Sequence, residues 1–541
     1  MTVGSVDARF RDGRHGGPTV GPQRAASLPA VSDRFEWSPE PELIDVLDEE
    51  RSRPALEAMG ERTWSEALDW LYGVATRRPM HARTYPEARQ DFFGPTGRPA
   101  PAPKSPSPWL DVLVEFRERI APATFNSQHP GSFSYFTPPP LPSSIAGEVL
   151  AQWTQQGVDV WHAGPIGALV EEEVTGWLRD LVGFGADGWG VLTSGGVMAN
   201  VMAMTVARDV WLATLRGVAG APRGGDLDGV RVYASDQAHF SIARALALLG
   251  FPDETLVVIE SDERFRLQAA PVAEAIDRDR GDGLTPLAIA AVAGSTNTGS
   301  VDDTPALADV SEREGVWLHV DAAYGGAARL SLRDAHRVPG LERADSVTVD
   351  PHKWFFQAYD IGGLIVRRRQ DLLTTFHRAP EYYASNRPQD DPLDWYKYSL
   401  EGTRRLRALK LWMSWKQLGT DGLGALIEQN DDLAAYLARR CAVEPDLETV
   451  PEDPELSVVC FRHLPDRHGD WPTGALDTYQ SRLQRALEMS GEAWVSVTTL
   501  RGDTFLRAGI VNYLSAERDI DRMLDALRRL STDVLTELDL P

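Results

Sequence analysis

Between residues 145 and 369 the chain repeats one pattern: a short apolar or β-branched run, a polar loop, then a helical stretch. Such runs lie at 230–233, 287–292, 316–320, 346–349 and 364–366, with helical spacing at 197–215 and 271–278 among them. Strands alternating with helices build parallel sheets, because a parallel neighbour needs a crossover long enough to hold a helix. An α/β domain with a large, mostly parallel sheet is therefore expected. In such sheets ligands bind beyond the carboxyl ends of the strands. The residues just after each run are where chemistry is to be sought.

The flanks read differently. Residues 1–35 are rich in Gly, Pro, Arg and Ser and lack an apolar stretch, so they are expected to be a disordered tail and not a secretory signal. Residues 36–141 form an N-terminal helical segment, with apolar residues three and four apart over 41–50 and 63–76. Pro-rich breaks follow at 99–108 and at Pro138-Pro139-Pro140. The large domain is then expected over 142–408 and a small C-terminal α+β domain over 409–541. A helix is expected at 404–418. The small domain has helical spacing at 421–439 and 520–530 and strand-like runs near 457–462 and 494–499. Residues 377–400 are polar with little periodicity, a length that compact domains reserve for functional or disordered loops.

Charge narrows the partners. Asp and Glu total 79 against 55 Lys and Arg, a formal charge of −24. Neutralising phosphates or anionic headgroups needs clustered cations, so neither a nucleic acid nor a membrane surface is expected as a partner. No run of apolar residues is long enough to span a bilayer. Cys441 and Cys460 are the two cysteines, and neither stands in a metal-ligand spacing. No metal and a reducing cytoplasm are the expectations.

The strand ends carry a particular set of side chains. The run 230–233 leads into Ala234-Ser235-Asp236-Gln237-Ala238-His239, and 287–292 into Gly294-Ser295-Thr296-Asn297. The run 316–320 is followed by Asp321-Ala322-Ala323-Tyr324, and 346–349 by Asp350-Pro351-His352-Lys353-Trp354. A cationic aromatic ring with an aldehyde and a phosphate would need such groups on one face. Lys353 is a candidate nucleophile toward a carbonyl, although a lysine at a strand end also serves as plain surface. Asp321 suits a protonated ring nitrogen or, equally, caps a following helix. Gly195-Gly196, opening the helix at 197, makes either a tight turn or a phosphate site. His239 is a ring-stacking candidate or a hydrogen-bonded structural residue. Tyr382, in the 377–400 segment, is a candidate acid or a packing anchor.

Taken together, Leu318-His319-Val320-Asp321-Ala322-Ala323-Tyr324 and Asp350-Pro351-His352-Lys353-Trp354 resemble the group II pyridoxal-phosphate (PLP) dependent amino-acid decarboxylases. That family includes aromatic-amino-acid, histidine, glutamate and 2,4-diaminobutyrate decarboxylases. The resemblance runs from about His129 to Leu418, with a weaker echo from Phe505 to Asn512. It implies a PLP-dependent transferase-like fold of type I and a homodimer with active sites at the interface. By motif, Lys353 is implied as the Schiff-base lysine, Asp321 as the partner of the pyridine nitrogen and His239 as the ring-stacking residue. Ala323 is implied beneath the ring, while Gly196, Val197, Thr296 and His352 fall at phosphate-side or ring-side positions. Tyr382, in Pro380-Glu381-Tyr382-Tyr383, matches the tyrosine that returns a proton to Cα.

The sequence departs from the pattern at several places. Val197 stands where many relatives have Ser or Thr, leaving only its backbone for a phosphate. Asp350 replaces the asparagine of the aromatic enzymes. Gly157 and Asp159 stand where aromatic-specific relatives carry bulky apolar residues, and Ser127 where they carry tryptophan. The resemblance implies decarboxylation of an L-amino acid to its amine. An aldehyde synthase or a carbon–carbon lyase on the same fold is the alternative, and a retired homologue acting as a scaffold is the remote one.

Overall fold

The computed structural model of the chain describes residues 45–80, 83–377 and 393–540. The tail expected over 1–35 lies outside them. Two compact units are distinguished, residues 1–65 with 100–116, and residues 66–99 with 117–541. The helix expected over 41–50 is not found at 45–48, which form a turn; the helix begins at Glu49 and runs as Glu49–Tyr72. Glu49 and Glu50 occupy its first turn, where negative side chains face the positive end of the helix dipole. The second expected stretch, 63–76, is the end of this same helix plus one 3-10 turn, Val74–Thr76.

The second unit holds a seven-stranded sheet. Its strands are β1 (Trp189–Thr193), β2 (Val230–Ser235), β3 (Leu256–Ile259), β4 (Thr285–Val292), β5 (Trp317–Asp321), β6 (Ser346–Val349) and β7 (Gly362–Val366). Their spatial order is β1-β7-β6-β5-β4-β2-β3. The pairs from β3 through β2, β4 and β5 to β6 are all parallel. Strand β7 runs antiparallel to both β6 and β1. The sheet is thus large and mostly parallel, with one reversed strand. Alternation of side chains is the same whichever way a strand runs, so periodicity carries no sign of the reversal. Strands β5, β6 and β7 are buried along their whole length, as strands covered on both faces must be.

The C-terminal part carries an antiparallel sheet of β8 (Leu447–Val450), β9 (Val458–His463), β10 (Ser496–Leu500) and β11 (Asp503–Gly509), in the order β10-β11-β9-β8. Helices Ala475–Ser490 and Glu517–Glu537 contribute to its own apolar core, separate from the core around the main sheet. The helix expected at 404–418 begins only at Ala408, 404–407 being non-helical, and it continues through the 421–439 stretch as one helix, Ala408–Val443, kinked at Gly419. With φ +66°, Gly419 takes a left-handed conformation that costs a residue without Cβ little.

The polar segment 377–400 is not structureless at its end. Trp395–Tyr398 is a 3-10 turn with Trp395 fully buried. Its indole lies 5.7 Å from that of Trp189, and the Tyr398 ring lies 5.5 Å from the same indole. Aromatic packing against β1 orders the turn where helical or strand periodicity is missing. Among the described residues no helix is long and apolar enough to cross a membrane.

Candidate active site

The loops after β1, β2, β4, β5 and β6 converge on one cavity of about 410 Å³. Gly196 and Val197 enter it from the start of the helix Gly196–Arg216, and His239 from the loop after β2. Thr296 follows β4, Asp321 and Ala323 stand at the end of β5, and His352 and Lys353 follow β6. The structure thus brings together every predicted site residue except Tyr382. Tyr382 and its neighbour Tyr383 lie outside the described residues. Ser127, Gly157 and Asp159 do not line this cavity. The Asp159 carbonyl accepts from the Tyr396 N–H at 3.1 Å, and the Ser127 carbonyl from Asn512 Nδ2 at 3.4 Å.

Lys353 Nζ is 3.4 Å from Asp350 Oδ2, and its side chain is 24% exposed. The same oxygen accepts from the Gly196 N–H at 2.9 Å and lies 3.7 Å from His352 Nε2. Burial lowers the His352 pKa, with Asp350 opposing that shift. Space decides the glycines here. A Cβ on Gly196 would stand 2.8 Å from Asp350 Oδ2, and one on Gly362 would stand 2.5 Å from the Gly195 Cα. Only bare backbone lets β7, the Gly195-Gly196 turn and Asp350 approach this closely.

Asp321 is 7% exposed. Its Oδ1 accepts from the Ala323 N–H at 3.1 Å, and its Oδ2 from Asn200 Nδ2 at 2.7 Å. The helix-cap alternative falls away, because the bond closes a turn two residues on. The next helical segment, Gly325–Leu330, begins after Tyr324 with no side-chain cap. His239 Nδ1 lies 2.8 Å from Ser241 Oγ, and burial is the main cause lowering its pKa.

Asn200 was not anticipated. It lies one helical turn beyond Gly196, so both project from similar faces of the helix. Besides Asp321, it bonds Ser241 Oγ at 2.8 Å, His319 Nε2 at 3.0 Å and Thr348 Oγ1 at 2.7 Å. His319 Nδ1 in turn lies 2.9 Å from Ser346 Oγ, which accepts from Trp317 Nε1 at 2.9 Å. Complete burial brings the His319 pKa down to about 4. The one sequence signal for this network was a polar side chain on an otherwise apolar helix face at a four-residue step from a site glycine.

Beyond Ala323 the wall is aromatic. Tyr324 is stacked on Phe136 at 4.0 Å and on Trp354 at 4.8 Å. Arg507, 5% exposed, lies 4.8 Å from the Phe136 ring and donates to the Thr296 and Ser134 carbonyls, each at 2.7 Å. This ties β11 to the loop after β4.

The donor set fits one kind of small molecule. A primary amine stands ready for a carbonyl, and a buried carboxylate for a ring cation. The first turn of a 21-residue helix presents N–H groups without intrahelical acceptors, one of them already used by Asp350. A flat, cationic ring bearing an aldehyde and a phosphate satisfies all three. Among the described residues no group of three or more His, Cys, Asp or Glu could hold a metal ion.

Known proteins are similar to this chain. The family model described as the pyridoxal-dependent decarboxylase conserved domain matches residues 95–464. An aromatic-L-amino-acid decarboxylase of Bacillus atrophaeus is 33% identical over 400 residues, covering 73% of this chain and 80% of the relative. An L-2,4-diaminobutyrate decarboxylase of Rhizobium meliloti is 32% identical over 408 residues, 75% of this chain and 79% of the relative. The crystal structure of Oryza sativa TDC with PLP and tryptamine superposes with a TM-score of 0.79 at 26% identity, over 88% of this chain and 98% of that one.

Proposed function

The chain belongs to the pyridoxal-dependent decarboxylase family, and we propose that it removes the α-carboxylate of an L-amino acid as CO2 and releases the amine. It is a carboxy-lyase, and its cofactor is pyridoxal 5'-phosphate. Bound in the cavity, that cofactor supplies an electron sink for the pair left on Cα when CO2 departs. Lys353 holds it through Nζ. The Asp321 carboxylate would pair with its ring nitrogen and keep the proton there. His239 would hold the ring and orient the substrate carboxylate, and Ala323 would pack against the ring. Gly196, Val197, Thr296 and His352 hold the phosphate side, Val197 through its backbone. Tyr382 returns a proton to Cα.

The observation that carries this reading is the meeting of Lys353, Asp321 and His239, from the carboxyl ends of three different strands, around one cavity. Orientation of the scissile bond by such fixed groups is the protein's share of the rate. The reading includes a homodimer in the cytoplasm. Borohydride treatment should fix the cofactor on Lys353, as read by peptide mass. CO2 release across a panel of aromatic, acidic and diamino acids should then identify the substrate. Modification of another lysine refutes the role of Lys353. Aldehyde and ammonia with oxygen uptake would assign the synthase alternative instead.

A further inference from the structure

Hydrogen-bond direction around Asn200 can be assigned group by group. A carboxylate accepts, so the amide edge toward Asp321 Oδ2 is the Nδ2 donor edge. The opposite edge, Oδ1, then accepts from Thr348 Oγ1 and from His319 Nε2–H. Reversing the amide would set oxygen against the Asp321 carboxylate and NH2 against the His319 ring nitrogen. His319 therefore carries its proton on Nε2, and its Nδ1 accepts from Ser346 Oγ. Ser346 is free to donate because its own oxygen takes the Trp317 N–H. On the other side Nδ2 also donates to Ser241 Oγ at 2.8 Å. The Ser241 N–H points at His239 Nδ1 at 3.3 Å, so Nδ1 is an acceptor there and the Ser241 hydroxyl hydrogen is donated to it as well. Neutral His239 is left with its proton on Nε2, the ring edge that no described residue engages.

The bonds thus run one way, from Trp317 through Ser346, His319, Asn200 and Ser241 to His239, with a branch to Asp321. Asn200 is 1% exposed, so no water substitutes for it cheaply. We propose that Asn200 is a positioning residue for the cofactor site: it holds the Asp321 carboxylate in one orientation and, through Ser241, fixes His239 as the Nε2–H tautomer. The two groups that would face the ring nitrogen and the ring plane are then set by one amide. This rests on the reading of the cavity given above. It adds that His239 offers a donor, and not a lone pair, to whatever lies over the ring.

The test uses Asn200→Leu, which keeps the volume and removes all four bonds, and Ser241→Ala, which cuts the His239 arm alone. Two readouts are taken. The first is the ring nitrogen shifts of His239 in 15N-histidine-labelled apoprotein, identified with His239→Gln. The second is the dissociation constant of pyridoxal phosphate. Wild type should give a protonated Nε2 and a bare Nδ1. Ser241→Ala should shift His239 toward a tautomer mixture with little change in cofactor affinity. Asn200→Leu should weaken cofactor binding about tenfold or more, the scale on which lost outer-shell partners act on bound groups. A folded Asn200→Leu with unchanged affinity and unchanged His239 shifts overturns the proposal, even if its Tm falls. Should Asn200→Leu not fold, an unchanged His239 signal in Ser241→Ala overturns it alone. Wild type that binds no pyridoxal phosphate would sink the cofactor reading instead, while the apoprotein spectra still decide the tautomer.

Discussion

Glu171→Gln removes one charge from a pair that is fully buried. Glu171 and Arg404 side chains are both 0% exposed. Arg404 Nη2 donates to Glu171 Oε1 and to the Leu192 carbonyl at 2.7 Å, and the same Oε1 accepts the Leu192 N–H at 3.1 Å. The pair therefore brackets one residue of β1, two positions before Ser194 at the cavity. Beyond Glu171, the guanidinium has Glu401 Oε2 at 3.8 Å and the Trp395 ring at 5.4 Å. Its Nε and Nη1 have no hydrogen-bond partner among the described residues. Leaving one buried charge without its partner costs about 3–5 kcal/mol. Glu401 offsets part of that, so about 3 kcal/mol is expected for Glu171→Gln from the low end of that range. Arg404→Met alone should cost a similar amount. The double variant Glu171→Gln with Arg404→Met should cost less than the sum, by about 2 kcal/mol of coupling. Urea unfolding of the four proteins, with and without cofactor, measures the cycle. If Glu171→Gln lies within about 1 kcal/mol of wild type, or the two singles simply add, Glu171 and Arg404 are not the buried, mutually compensating ion pair described here.

Two further outcomes are expected. His319 titrates at 6.5 when unfolded and near 4 when folded, so it favours the folded state above pH 6.5 and loses that contribution as pH falls toward 4. The stability of wild type minus that of His319→Asn should drop by up to about 3 kcal/mol across that window, and a pH-independent difference in urea titrations would refute a neutral His319. Asp321→Asn should keep the fold, since one amide edge still meets Ala323 or Asn200, yet lower turnover by roughly two powers of ten, the scale of a lost preorganised charge. Near-normal turnover would leave Asp321 a turn-closing residue.

Much of the main sheet was legible because β2, β4, β5 and β6 are β-branched or alanine-rich runs stopped by polar loops. Strand β1 was not, being broken by Gly190, and neither was β3, although its Leu-Val-Val-Ile run matches β6 in length. The reversal of β7 was invisible because side-chain alternation has no direction. Lys353, Asp321 and His239 could be found one by one, since each follows a strand and strand ends converge by topology. Asn200 could not. It sits in a helix, and its partners come from β5, β6, Asp321 and the helix after His239, a meeting that only tertiary packing creates. Asp350 was read as a substitution in a motif, whereas its bond to Gly196 shows it bracing the glycine turn as well.

The place of β1 in the sheet has a consequence for the growing chain. Among the described residues it is the first strand to be made and its sole neighbour is β7, with five other strands synthesised between them. Until β7 has left the ribosome, the backbone of β1 has no ladder to join, and the turn at Ser194 to Gly196 has no fixed base. Closing so large a loop is slow compared with pairing local strands. A nascent chain stopped before residue 362 would therefore carry β2 to β6 with β1 unpaired and the Ser194–Gly196 turn unsupported, so the cavity is completed late in biosynthesis.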